Sequence, residues 1–113
     1  MKRADVERLR EAAGLRAARD RAALAAVEAR AQPIRDALAA LDAEEGTEPP
    51  EGLQAARDHA AWQAWRTAER QRLMMALSRL RAELDGARRA SAKATAREAV
   101  ADRIAKRLSG RGG

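Results

Sequence analysis

The sequence predicts an all-α fold, namely an antiparallel two-helix coiled-coil hairpin with a longer, projecting second helix. Of the 113 residues, 35% are charged and 2% are aromatic, with Ala, Arg, Leu and Glu dominant. This composition is typical of long helices and coiled coils. Apolar residues recur at alternating spacings of three and four on either side of one short, proline-containing segment, whereas no alternating strand pattern occurs. We therefore expect a single domain over residues 1–113.

The first helix is predicted over residues 3–43, where an apolar seam with coiled-coil spacing follows one face. The seam contains Leu24, Val27, Ala31, Ile34, Leu38 and Leu41. Towards the N-terminus it continues into Ala17, Ala13, Leu9 and Val6. Two consecutive steps of four residues in this part indicate a stutter. Pro33 is expected to kink the helix, because proline removes a backbone hydrogen bond.

The connection is predicted over residues 44–52, with the sequence EEGTEPPEG. Gly46 can end a helix in the left-handed conformation, and Pro49 and Pro50 cannot continue one. The segment contains four glutamates and no basic residue. We expect the chain to reverse its direction here, at about residue 48.

The second helix is predicted over residues 53–109. Its seam first contains Leu73, Leu77, Leu80, Leu84 and Ala87. After a phase shift the stripe resumes with Ala94, Ala101, Ile104 and Leu108. Gly86 costs about 1 kcal/mol relative to alanine inside a helix. No proline follows it, so we expect the helix to continue through this glycine.

Folding the chain back near residue 48 pairs residues whose numbers add to roughly 96 or 97, so that large side chains face small ones. Ala13 then lies opposite Leu84. Trp62 and Trp65 would lie opposite Pro33, where a kink leaves a wider gap for indole rings. In this register the first helix ends before the second does, so residues 94–109 are expected to project without an intramolecular partner.

No set of residues predicts catalysis, a cofactor or a metal site, and we expect a non-enzymatic protein. His59 is the only histidine. Its neighbour Asp58 points about 100° away on a helix, so the two do not form an acid–base pair. Cysteine is absent, which excludes disulfides and thiolate metal sites. Neither a signal peptide nor an apolar membrane span is predicted.

Two surfaces are candidates for partner binding. Trp62 and Trp65 are the only aromatic residues, and residues three apart share a helix face. They are interpreted either as hairpin core or as an exposed anchor, because tryptophan is enriched at interface hot spots.

The second candidate surface is the C-terminal segment, residues 86–113, with eight basic and two acidic residues. Its candidate residues are Arg97, Val100, Arg103, Ile104, Lys106, Arg107 and Leu108. A protein partner, a solvated helix face and nucleic-acid phosphates are all compatible with this charge. The apolar members favour a protein partner, and no aromatic residue is present there to stack on bases.

Residues 58–108, DHAAWQAWRTAERQRLMMALSRLRAELDGARRASAKATAREAVADRIAKRL, resemble flagellar export proteins of the FliJ type and their counterparts in virulence secretion systems. In that family an aromatic-bearing segment follows the connection, and a Leu/Arg/Glu heptad run and an Arg/Lys-rich stretch come after it. In that family the Arg/Lys-rich stretch ends in an Ala-Leu-Glu-Lys-Leu-like element. Here Trp62 and Trp65 belong to the aromatic-bearing segment, and residues 104–108 stand in the place of that last element. The first helix is similar in pattern only.

The resemblance implies a cytoplasmic type III secretion stalk, peripheral to the inner membrane at most. Such a stalk inserts in or docks on the hexameric export ATPase ring, contacts the export gate and binds export chaperones. Two alternatives stay open. One is a generic coiled-coil scaffold or dimerisation module, and the other is a small basic nucleic-acid-binding helical protein.

Overall fold

The computed structural model describes residues 2–44 and 51–111, and of Arg111 only the backbone. The described residues form two helices, α1 at Arg3–Ala43 and α2 at Leu53–Arg111, and contain no strand. The all-α prediction is confirmed, and so is the greater length of the second helix, which has 59 residues against 41.

Both helices are uninterrupted. α1 continues through Pro33 and α2 continues through Gly86, as predicted for the glycine. The first turn of α1 contains Asp5, whose negative charge favours the positive end of the helix dipole. Neither helix, over its described residues, has a stretch apolar enough for a bilayer crossing.

Glycine sets the start of α2. Gly52 has a φ of 96°, a conformation that residues with a Cβ rarely adopt. Its carbonyl oxygen accepts a hydrogen bond from the Ala56 N–H at 2.9 Å. The helix-ending residues predicted in the connection, Gly46, Pro49 and Pro50, lie outside the described residues.

The chain forms two compact units, each built from a part of α1 and a part of α2. The terminal unit contains Met1–Glu28 and Glu83–Gly113, and the central unit contains Ala29–Ala82. In the terminal unit Arg10 bonds to Asp102 while Arg21, further along α1, bonds to the earlier Thr95. The helix segments of this unit are therefore antiparallel, as predicted.

The core of the central unit is a small apolar cluster. Leu38, Leu41 and Leu73 are all buried, and they belong to the predicted seams. The partly buried side chains packed against them are Ile34, Ala37 and Leu77. Burying a leucine side chain contributes about 1.5–3 kcal/mol, and Ala31 and Leu80 are also buried within this unit.

In the terminal unit the α2 seam has no phase shift. The buried Ser91 lies four residues after Ala87 and three before Ala94. Glu98 follows four residues later and is half-buried. The predicted phase shift is therefore wrong. Ser91 and Glu98 occupy two positions of the seam, and because both are polar, a pattern of apolar residues does not include them.

The α1 seam has no stutter either. Arg10 lies four residues after Val6 and three before Ala13, and it faces α2 through its bond to Asp102. Leu9 lies beside this seam, with 43% of its surface exposed. Because Leu9 is apolar, apolar spacing alone places it in the seam, and the predicted stutter follows from that assignment.

The predicted register is wrong. Arg10 pairs with Asp102 in the terminal unit and Asp42 pairs with Arg70 in the central unit. In both pairs the residue numbers add to 112, against the predicted 96 or 97. The difference is about two heptads. A seam that repeats every seven residues matches its partner almost equally well after such a shift, so apolar spacing alone does not select the register.

The part of α2 that extends beyond α1 is therefore its N-terminal part, and not its C-terminal part as predicted. Residues 94–109 were predicted to lie beyond the first helix, but Asp102 pairs with Arg10, and Leu108 lies beside Val6. In the observed register, the start of α2 extends past Ala43, the last helical residue of α1. Leu53, the first residue of α2, is 72% exposed.

Candidate partner-binding site

A groove lies between α1 and α2 in the terminal unit. It has a volume of about 530 Å³. The lining residues on α1 are Leu9, Ala12, Ala13 and Arg16. Those on α2 are Lys93, Ala94, Ala96, Arg97, Val100, Ala101 and Ile104. We call this the basic groove, because its lining is apolar apart from three basic side chains.

The basic groove arises because each helix carries a second apolar stripe beside its seam. Leu9 precedes the seam residue Arg10, and Val100 precedes the seam residue Ala101. Both side chains line the groove, and Val100 is 47% exposed. A coiled-coil pair needs only the seam, whereas a wider apolar stripe is typical of a helix that packs against a further element.

The floor of the basic groove consists of small side chains. Its alanines are Ala12, Ala13, Ala94, Ala96 and Ala101. Small residues let a neighbouring helix approach closely, towards the lower end of the usual 8–10 Å between helix axes. Another helix can therefore pack lengthwise along this floor.

The charge of the basic groove is entirely positive. Arg16, Lys93 and Arg97 line it, and no acidic residue does. No ion pair of these three is found within residues 2–44 and 51–111. The nearby carboxylates of α2, at Glu98 and Asp102, are directed at α1 instead.

Those two carboxylates are held by arginines of α1. Asp102 accepts a hydrogen bond from Arg10 at 2.8 Å. Glu98 lies 3.7 Å from Arg21. It faces Gly14 of α1, where a Cβ would lie 3.5 Å from a Glu98 carboxylate oxygen, which is an ordinary van der Waals contact. The two acidic residues of the C-terminal segment thus pair with arginines of α1 and do not line the basic groove.

The predicted C-terminal residues do not form one surface. Arg97, Val100 and Ile104 line the basic groove together. Lys106 and Leu108 line a separate depression beside Val6. The two other predicted residues, Arg103 and Arg107, are exposed and line neither concavity.

The two tryptophans lie in the central unit. They line a shallow concavity with Leu41 and Leu73, bordered by the acidic side chains of Glu44 and Glu69. The predicted position opposite Pro33 is wrong, because the register shift places the tryptophans beside the end of α1. We call this the tryptophan surface.

The tryptophans differ in their environment. Trp62 is half-buried, and its ring stacks on that of His59 with 5.7 Å between ring centroids. Trp65 is 55% exposed. The interpretation of both as hairpin core is therefore wrong for Trp65, whose indole is largely in contact with solvent.

Two arginines, Arg66 and Arg72, form polar contacts next to the tryptophan surface. Arg66 donates a hydrogen bond to the Leu41 carbonyl oxygen at 3.0 Å, and so satisfies a carbonyl near the end of α1. Arg72 forms a two-pronged ion pair with Glu69. The hydrogen bond from Arg72 lowers the pKa of the Glu69 carboxyl below its ordinary value. The Glu69 carboxyl group is accordingly held in its ionised form.

The described residues contain no group of three or more His, Asp or Glu side chains able to hold a metal ion. Asp58 accepts a hydrogen bond from Gln54 at 3.1 Å, while the His59 ring is stacked on Trp62. The basic groove and the tryptophan surface offer apolar and charged side chains, and such side chains can bind a partner.

Residues of α1 that are not among the predicted partner-binding residues complete the basic groove. Leu9, Ala12 and Arg16 line it together with the predicted residues and with Lys93 of the basic C-terminal segment. The periodicity of Leu9, Ala12 and Arg16 at spacings of three and four was present in the sequence. Only the correct register brings that stripe next to Val100.

Comparisons with protein-family models, with curated proteins and with solved structures find no match to this chain.

Proposed function

We propose that this chain is a non-enzymatic helical adaptor that binds protein partners in the cytoplasm. Its specific role is that of a coiled-coil stalk or adaptor in a bacterial flagellar-type protein export apparatus. In this role it inserts in or docks on the hexameric export ATPase ring and contacts the export gate. The basic groove is the observation that carries the binding function, and the resemblance of residues 58–108 carries the specific role.

The exposure of large apolar side chains supports protein binding. The exposed ones include Leu9, Leu15, Leu53, Trp65, Met74, Met75 and Val100. Removing apolar surface from water contributes about 25 cal/mol per Å². Single exposed apolar residues are common, but Leu9 and Val100 share one groove. A partner that covers both would gain from a contiguous apolar contact.

Nucleic-acid binding is less well supported by the same site. Phosphate contacts need exposed basic side chains, and Arg103 and Arg107 provide them. They do not need the apolar side chains of Ala96, Val100 and Ile104, which line the basic groove. The described residues place both aromatic rings in the central unit, and none lines the basic groove.

The export role is tested in the bacterium that encodes the chain. Deletion of the gene should reduce swimming and the export of flagellar proteins, and a plasmid copy should restore both. The purified chain should bind the purified export ATPase of the same organism and change its rate of ATP hydrolysis. Normal swimming and export in the deletion strain, together with no binding to the ATPase, would leave the scaffold alternative in its place.

A further inference from the structure

We infer that the basic groove binds one amphipathic helix of a protein partner, and that acidic residues flank the apolar face of that helix. This inference rests on the proposed function, because it names the partner chemistry of the same binding site. Three features of the terminal unit carry it, namely the shape of the floor, the position of the apolar side chains and the sign of the charge.

The shape of the groove selects a helix. Its α2 wall extends from Lys93 to Ile104, which is about three helical turns or roughly 16 Å. An alanine floor between two antiparallel helices forms a trough along both helix axes. A third helix laid in it would place apolar residues at spacings of three and four against Leu9 and Val100, as in other helix-in-groove complexes.

The charge of the groove selects acidic flanks. Arg16 borders the trough on the α1 side, while Lys93 and Arg97 border it on the α2 side. A docked helix would therefore meet positive charge on both sides of its apolar face. Carboxylates at those positions would speed association and fix the orientation of the helix.

The same charge argues against a second copy of this chain. In a symmetric dimer the same patch forms both sides of the interface. Pairing two basic grooves would bring Arg16, Lys93 and Arg97 of one copy close to the same residues of the other. Like charges placed in contact oppose association, so an acidic partner is favoured over self-association.

The test uses the full chain and three fluorescent peptides of about 18 residues. The first peptide has leucines at helical spacing with glutamates on both flanks. The second has lysines in place of the glutamates, and the third has serines in place of the leucines. Fluorescence anisotropy should show that the glutamate peptide binds at least about tenfold more tightly than either of the others.

Two groove variants and one control locate the binding. Leu9→Ser with Val100→Ser removes exposed apolar side chains and should weaken binding about tenfold or more without loss of helicity in circular dichroism. Arg16→Glu, Lys93→Glu and Arg97→Glu together should reverse the preference, so that the lysine peptide binds better. The control makes the same charge change outside the groove, at Arg8, Arg88 and Arg89, and should keep the original preference.

Several results would overturn the inference. One is equal binding of the glutamate and lysine peptides, and another is unchanged binding by the Leu9 and Val100 double variant. A reversal of preference by the control would show that only net charge matters. Displacement of the peptide by duplex DNA would assign the site to nucleic acid. A dimer in sedimentation that the double variant abolishes would assign it to a second copy.

The two proposals fail in different ways. If the deletion strain swims and exports normally while the peptide preference and its reversal hold, the export role is wrong and the groove inference stands. If the deletion strain is defective and the double variant restores it fully, the groove inference is wrong and the export role stands.

Discussion

Arg10 of α1 donates a hydrogen bond from Nε to the Oδ1 of Asp102 in α2 at 2.8 Å, across 92 positions of the sequence. Arg70 and Asp42 form the corresponding pair in the central unit at 3.1 Å. All four side chains are about half exposed, so each pair contributes little, about 0–1 kcal/mol. The two ion pairs nevertheless show which residues of the two helices face each other within each unit.

The register is tested by crosslinking within the terminal unit. Cysteines replacing Arg10 and Asp102 should be joined within one chain by a short bismaleimide reagent, because these positions face each other. Cysteines replacing Ala13 and Leu84, which face each other only in the register predicted from the sequence, should not be joined. Mass spectrometry of the digested protein identifies the bridged peptides. Efficient bridging of the second pair, or bridging only between chains, would contradict the observed pairing.

Burial of the seam is tested at Leu80, which is 8% exposed. Leu80→Asp should destabilise the protein by several kcal/mol, because it buries a carboxylate without a partner. The drop should appear as a large fall in the thermal midpoint measured by circular dichroism. Ser78→Asp introduces the same charge at an exposed position two residues away and should leave the midpoint nearly unchanged. Equal effects of the two substitutions would remove Leu80 from the core.

Substitution by alanine is expected to have opposite effects on stability at Gly86, inside α2, and at Gly52, just before it. Gly86 lies inside the helix, and apart from its neighbours and the nearby backbone of the same helix, no heavy atom lies within 4 Å of the place where a Cβ would be. Gly86→Ala should therefore stabilise the protein by about 0.5–1 kcal/mol. Gly52→Ala should destabilise it, since the φ of 96° is unfavourable for alanine. Urea unfolding measures both, and a loss of stability in the Gly86 variant would contradict this account of the helix.

The ion pair between Arg72 and Glu69 at the tryptophan surface should make the stability of the folded protein depend on pH. The hydrogen bond from Arg72 lowers the pKa of Glu69 in the folded protein, so the pair stabilises the folded state above the pKa of the unfolded chain. That stabilisation is lost as the pH falls through the folded value. NMR titration should find the Glu69 midpoint below the ordinary glutamate value, and Arg72→Gln should raise it. An Arg72→Gln variant with the same Glu69 midpoint would show that the pair does not form.

The unequal exposure of the tryptophans is tested by fluorescence quenching. Trp62→Phe leaves only Trp65, which is 55% exposed, and acrylamide should quench it strongly. Trp65→Phe leaves only Trp62, which is half-buried against His59 and should be quenched less. A partner that covers the tryptophan surface should protect Trp65 more than Trp62. Equal quenching of the two variants would show that both indoles are equally exposed.

Composition and apolar spacing were enough to predict the fold class, the bounds of the first helix, the start of the second and most of the buried faces, whereas α2 ends at Arg111 and not at residue 109. Leu38, Leu41, Leu73, Leu80 and Leu84 were assigned to the seams from spacing alone, and all are buried. Such local features are predictable because the period of an α-helix places residues three and four apart on one face.

The register, and with it the set of residues that line the basic groove, depends on contacts between the two helices that apolar spacing does not specify. A heptad seam is nearly unchanged by a shift of seven residues or a multiple of seven, so several pairings bury similar apolar surface. Contacts between polar residues far apart in the sequence, such as Arg10 with Asp102 and Glu98 with Arg21, distinguish these pairings. The stripe of Leu9 was present in the sequence, but its position beside Val100 depends on which of those pairings the folded chain adopts.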